Sequence, residues 1–136
     1  MISLISAVVV ALIGVWPSVG AVINPGQDVV VAGSVTGLGG DTLWILSMHD
    51  VGGSFYLVPG VAGLSPVAPQ DGPWGVTDEG VGNPTDRGGT VVYYAVQANA
   101  DCTKTLSSMR SDDSFHEHEL PKGCTILQGL RSVRVK

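Results

Sequence analysis

Thr90-Val91-Val92-Tyr93-Tyr94-Ala95-Val96-Gln97-Ala98 is the stretch on which the fold turns. In an extended chain successive side chains alternate, so Val91, Tyr93 and Ala95 share one face while Val92, Tyr94 and Val96 share the other. Both faces are apolar. A strand of that kind belongs in the interior of a sheet that is covered on both sides. The chain around it reads the same way. Downstream, Asp101 is a candidate N-cap for a short helix from Cys102 to about Met109, with Leu106 and Met109 three apart on one face. Ser111 to Glu119 reads as polar loop. Cys124 to Val135 reads as a closing strand, with Val133 and Val135 inward and Ser132 and Arg134 outward.

Upstream, Val29 to Val35 and Thr42 to Met48 are rich in β-branched and aromatic residues, and Thr42 to Met48 is apolar on both faces near its middle. Gly52-Gly53 joins the latter to a hairpin partner, Ser54 to Val58. Pro59 to Pro73 is a proline- and glycine-rich loop or edge segment, because proline cannot donate to a central ladder. Trp74 to Thr77 is a short strand, and Asp78 to Gly89 is turn-rich. Many short strands, 19 Gly, 8 Pro and only 14% charged residues describe an all-β chain, an antiparallel sandwich with one short helix.

From Ile2 to Ile23 the chain runs for 22 residues without a formal charge, long enough to cross a hydrocarbon core as a helix. In one reading Ile2 to Val15 is the apolar core of a signal peptide, Pro17 ends it, and Val19-Gly20-Ala21 offers a cleavage site. In another the whole run stays as a membrane anchor, and in a third it is a buried core helix. The first two divide the chain into residues 1–23, a signal peptide or transmembrane anchor, and residues 24–136, an extracytoplasmic domain. About 113 residues then remain, enough for one modest core. Cys102 and Cys124 fit an exported chain as a single disulfide, which in the chain-entropy model stabilises the fold by roughly 3 kcal/mol. The alternative is a pair of reduced core thiols.

Several motifs resemble a family of exported bacterial domains, common in actinomycete-type bacteria, that follow a single membrane segment. These are the opening Val31-Ala32-Gly33-Ser34-Val35, the Leu43-Trp44-Ile45-Leu46 strand and the Phe55-Tyr56 pair with Pro59 following. Further on, Gly72-Pro73-Trp74, Asp86-Arg87-Gly88, Ala95 to Asp101 and the Leu120-Pro121-Lys122-Gly123 turn are similar as well. The resemblance spans most of residues 29 to 135. It implies an immunoglobulin-like sandwich and an envelope location. Its motifs are turn and core residues, and it carries over no catalytic residue.

The most suggestive polar cluster is His116-Glu117-His118-Glu119. If extended, His116 and His118 would share a face and could hold a divalent metal with Asp112 or Asp113. The spacing is not that of a zincin helix, and an exposed charged loop is the simpler account. No Gly-x-Ser-x-Gly elbow frames Ser54 or Ser65 as a nucleophile. Asp41, Asp50, Asp78, Glu79 and Asp86 lack the spacing of a calcium loop. Gly37-Leu38-Gly39-Gly40 leads into a strand, not into a helix that would cradle phosphate. Trp44, Tyr56, Trp74, Tyr93 and Tyr94 could form a binding platform, but strand positions favour core packing.

Seven Lys and Arg, spread from Arg87 to Lys136 in a chain of net charge −5, make no basic stripe for nucleic acid. The expectation is therefore a non-enzymatic, extracytoplasmic interaction or accessory module of the cell envelope, secreted or membrane-anchored, with no cofactor. Its partner would be an envelope or extracellular protein or a glycan, with the membrane itself contacted through residues 2–23 if these are uncleaved. The alternatives are a metal-binding protein or metal-dependent hydrolase using the His116/His118 loop, and a small secreted effector stapled by its disulfide.

Overall fold

A computed structural model describes residues 9–16, 21–24, 26–49, 54–58, 66–81, 89–109, 114–116 and 119–135. Nine strands and one helix follow one another along them. They are β1 (Val10–Trp16), β2 (Ala21–Ile23), β3 (Gln27–Thr36), β4 (Thr42–His49), β5 (Ser54–Leu57), β6 (Gly72–Val81), β7 (Thr90–Ala98), α1 (Ala100–Ser107), β8 (Ser114–His116) and β9 (Cys124–Val135). Among the described residues no helix is long and apolar enough to cross a membrane.

The strands form two sheets, one ordered β1-β3-β6 and the other β2-β9-β7-β4-β5-β8. All pairings are antiparallel except β2 with β9. β7 lies between β9 and β4, the interior place that its two apolar faces demand. Its Val91, Tyr93 and Ala95 join Leu43 and Ile45 of β4 in a cluster completed by Val15, Val29, Val31, Val35, Trp74 and Val76 from the smaller sheet. The two sheets therefore share one core between their inner faces.

On the opposite face of the larger sheet, Val96 and Ala98 of β7 join Trp44 and Leu46 of β4 and Phe55 and Leu57 of β5. This second cluster is closed by Cys102 and Leu106 of α1, with Met109, Phe115 and Leu120 packed against it. The molecule thus has three layers, and the wide sheet is the middle one. Two register shifts between β7 and β9, after Val91 and after Ala95, insert an extra β9 residue each, which bends the long strand. Neighbouring Ile126 and Leu127 pack against different clusters, as successive residues of a strand do.

Four expectations change. The apolar lead is not one helix where it is described: Val10–Trp16 pairs with β3 along its whole length, and Ala21–Ile23 pairs with the end of β9. Val15 and Ile23 are buried in the core. The physical reason is that a charge-free run rich in Val and Ile suits a lipid core and a packed strand alike, and hydropathy does not separate the two. Secondly, β6 continues through Asp78 to Val81, where the sequence reads as turn, because Asp78 has an interior partner described below. Thirdly, Ser114–His116 is a strand on the free edge of β5, not loop. Finally, the helix begins two residues earlier than expected. Asn99 is the N-cap, accepting from the Cys102 N–H at 3.0 Å through Oδ1, while Asp101 sits in the first turn where its charge favours the dipole. The inward and outward assignments of Ser132 to Val135 lie outside the described side chains.

Candidate functional site

Several contacts converge at the corner where α1 meets β9. Cys102 and Cys124 are joined by a disulfide across a Cα–Cα distance of 5.2 Å, tying the first turn of α1 to the first residue of β9. Just before it, Pro121 to Cys124 forms a tight turn, with the Cys124 N–H donating to the Pro121 carbonyl at 3.1 Å. Gly123 occupies its third position at φ +86°, where a type II turn requires glycine. A Cβ on Gly123 would collide with the Asn99 side chain, so the glycine also makes room for the helix cap. The Asn99 N–H in turn donates to the Gly123 carbonyl at 3.2 Å. Alongside, Trp44 Nε1 donates to Thr42 Oγ1 at 2.8 Å, and the Thr42 and Thr103 hydroxyls share a hydrogen bond at 2.8 Å. The Thr42–Thr103 bond and the disulfide hold helix to sheet, while the remaining hydrogen bonds fix the turn, the cap and the Trp44 ring.

Between the sheets, Tyr93 is fully buried and its hydroxyl donates to Asp78 Oδ2 at 2.6 Å, a link from β7 to β6. Burial, reinforced by the neighbouring Asp78 carboxylate and its hydrogen bond, pushes the Tyr93 phenol far above its ordinary range. Its place is that of a neutral donor bridging two layers. Trp74, by contrast, is a buried donor: among the described residues its Nε1 has no hydrogen-bond partner.

The glycine-rich turn after β3 does bind an anion, but one from its own chain. The Gly37 and Leu38 N–H groups donate to the Asp71 carboxylate at 3.0 and 2.9 Å. Leu38 to Gly40 and Pro69 to Asp71 line a shallow depression there, and the carboxylate on its wall is already committed to the turn. Asp41 is likewise engaged, accepting from Gln97 Nε2 at 2.7 Å. Asp41 and Asp78 stand at different places in the fold, and among the described residues no three His, Cys, Asp or Glu approach one another as metal ligands would. His116 lies on β8, paired with Ser54. Asp112, Asp113 and His118 lie outside the described residues, as do Asp50, Ser65 and Asp86.

Of the five aromatic residues that could have formed a platform, Trp44, Trp74 and Tyr93 are buried, Tyr94 is half-buried against Phe55, and only Tyr56 is exposed. The most exposed aromatic is one that sequence reasoning assigned to the apolar lead. Trp16 is 58% exposed at the end of β1, directly opposite Val30, itself 39% exposed. A Cβ on Gly14 would stand 3.1 Å from Cη2 of Trp16, so the indole lies down over the glycine and keeps its other side open. No sequence signal marked it, because β1 is apolar at every position and its outward side shows only in the register with β3. Compared with known proteins, the chain matches no family model, no curated protein and no solved structure.

Proposed function

We propose that the chain is a non-enzymatic module of the cell envelope that works outside the cytoplasm, on an immunoglobulin-like sandwich, by binding an envelope or extracellular protein or glycan. The observation that carries the location is the Cys102–Cys124 disulfide, since such bridges persist in oxidising compartments and are rare in the cytosol. Both sulfurs sit in a packed structural corner, which suits a permanent staple better than a redox centre. The apolar lead acts on the unfolded chain during delivery, and in the folded body Val10–Trp16 serves as an edge strand.

The strand order supports the immunoglobulin-like reading. Such sandwiches place strands A, B and E in one sheet and G, F and C in the other, with C′ added beside C. Assigning β1, β3, β4, β5, β6, β7 and β9 to A, B, C, C′, E, F and G reproduces both orders. A tyrosine on F reaching back to E fits as well. The departures are that no strand D lies beside E among the described residues, that β2 and β8 are added at the two edges of the larger sheet, that a helix between F and G covers the outer face of that sheet, and that the disulfide joins this helix to G instead of B to F. Apart from Trp74 Nε1, the polar groups described above are engaged in structure, which favours binding over turnover.

The test is fractionation of a bacterium that expresses the full chain, with the mass of the mature N-terminus and thiol alkylation read on each fraction. An oxidised chain outside the inner membrane supports the reading, and the mass shows whether residues 10–16 are retained to serve as the edge strand or are removed on export. A cytosolic chain with two alkylatable thiols overturns it.

A further inference from the structure

β1 holds one edge of the smaller sheet. Among the described residues it is hydrogen-bonded to β3 alone, with Val15 buried and Val9, Ala11 and Ile13 packed on the core. As the first of the described strands and an edge strand, it can leave without breaking any other ladder. The same residues lie within Ile2 to Gly20, 19 residues without a charge, enough to cross a hydrocarbon core as a helix. We infer that β1 is an exchangeable strand: in the body it fills the place beside β3, and at a lipid bilayer it leaves that place and enters the lipid as part of a helix.

Lipid is selected as the second partner by what the lead shows to water. Of the five large hydrophobic residues exposed among the described ones, Val10, Trp16 and Val22 belong to the lead and Val30 lies opposite Trp16. The outer sheet face does not itself settle flat on a bilayer, because Asp28 and Glu79 are exposed on β3 and β6 beside that pair. Contact therefore runs through the strand and not through the sheet.

Composition keeps the two places in competition. Ten of the 19 residues are Leu, Ile or Val, each of which favours insertion, whereas three Ser, two Gly and Pro17 oppose it. Withdrawal uncovers Val31 and Val35 of β3, which draws the strand back where no lipid is near. Lipid binds only the released form, so its presence shifts the equilibrium. β2 keeps its ladder with β9 in both states and holds the body close to the surface.

Flotation of the full, oxidised chain with neutral phosphatidylcholine vesicles tests this. The chain should float, and brominated lipid should quench Trp16, whose companions Trp44 and Trp74 are buried. Amide exchange from Val30 to Thr36 should accelerate while β7 stays protected. Val10→Asp and Trp16→Asp lie at positions exposed in the body but inside the inserted stretch, so each should leave the Tm nearly unchanged and weaken vesicle binding by more than about tenfold. A chain that stays off the vesicles overturns the inference. So does flotation with Val30 to Thr36 as protected as in buffer, equal flotation of both aspartate variants, or a mature N-terminus that begins after β1. Exchange and quenching use the unaltered chain, so they decide the matter even where a variant fails to fold. The inference rests on the export reading of the lead, yet the two fail separately. An oxidised, exported chain that ignores vesicles leaves the envelope reading standing, and a reduced, cytosolic chain removes that reading whatever the vesicles show.

Discussion

Gly123 carries two demands at once, a positive φ of +86° and an open space beside Asn99. Gly123→Ala should therefore cost about 1–3 kcal/mol, from backbone strain and from displacement of the cap. Asn99→Ala should cost about 1 kcal/mol. The pair should cost less than the sum, because both act on one contact, and urea unfolding of the two single variants and the double variant reads this directly. Full additivity would separate the glycine from the cap. Tyr93 makes a prediction about pH. In the unfolded chain its phenol ionises near about pH 10, whereas in the folded chain it is held protonated well above that. Stability from this group is thus complete below about pH 10 and is lost as the pH rises beyond it. Tyr93→Phe removes the hydrogen bond from β7 to the Asp78 carboxylate and should lower stability at neutral pH by about 1–2 kcal/mol, while flattening the alkaline fall. Parallel pH profiles for the two proteins would remove the assignment.

Among the elements, α1 is the one whose position depends most on a single bond. It runs for only 8 residues, too short to be stable alone, and is held by Leu106, the Asn99 cap and the disulfide. Opening the bridge with Cys102→Ala and Cys124→Ala should cost roughly 3 kcal/mol, for a loop whose ends are 22 residues apart. Leu106→Ala should cost about 2–5 kcal/mol, since the residue is fully buried in the cluster beneath the helix. Amide exchange in α1 separates the two effects. Bridge removal should accelerate exchange in the helix while β7 stays protected, because β7 is flanked by strands on both sides. The best-read elements were those with the strongest pattern. β7 and β9 have the limits that their residues announce, and the β4–β5 hairpin pairs as expected. The helix start was misplaced because Asn99 and Asp101 are both capable caps, and only the approach of Gly123 decides between them.

At the scale of the whole molecule, the question is whether the apolar lead belongs to the body. Val10–Trp16 lies along β3 from Val30 to Thr36, and Val15 is buried beside Val31. A chain lacking residues 1–21 should therefore expose Val31 and Val35 and lose more than about 4 kcal/mol, seen as a large drop in Tm. Equal stability of the truncated and full chains would show that β1 adds nothing to the core. Of the candidate site, Cys102 and Cys124 were legible as a candidate pair, because two cysteines are too few for a structural zinc site and form no Cys-x-x-Cys motif. The exposed Trp16 was not, since its exposure depends on which sheet β1 joins and what lies over it. Sequence alone determined that the chain is built of strands and that β7 is interior, and it made a Cys102–Cys124 pair the expectation, because alternation, β-branching and cysteine count are local or compositional properties. Tertiary structure alone decided that β1 and β2 join different sheets, that α1 covers the larger sheet and that Asp71 fills the glycine turn. Each of these depends on which distant segments meet, and no pattern within a segment encodes its partner.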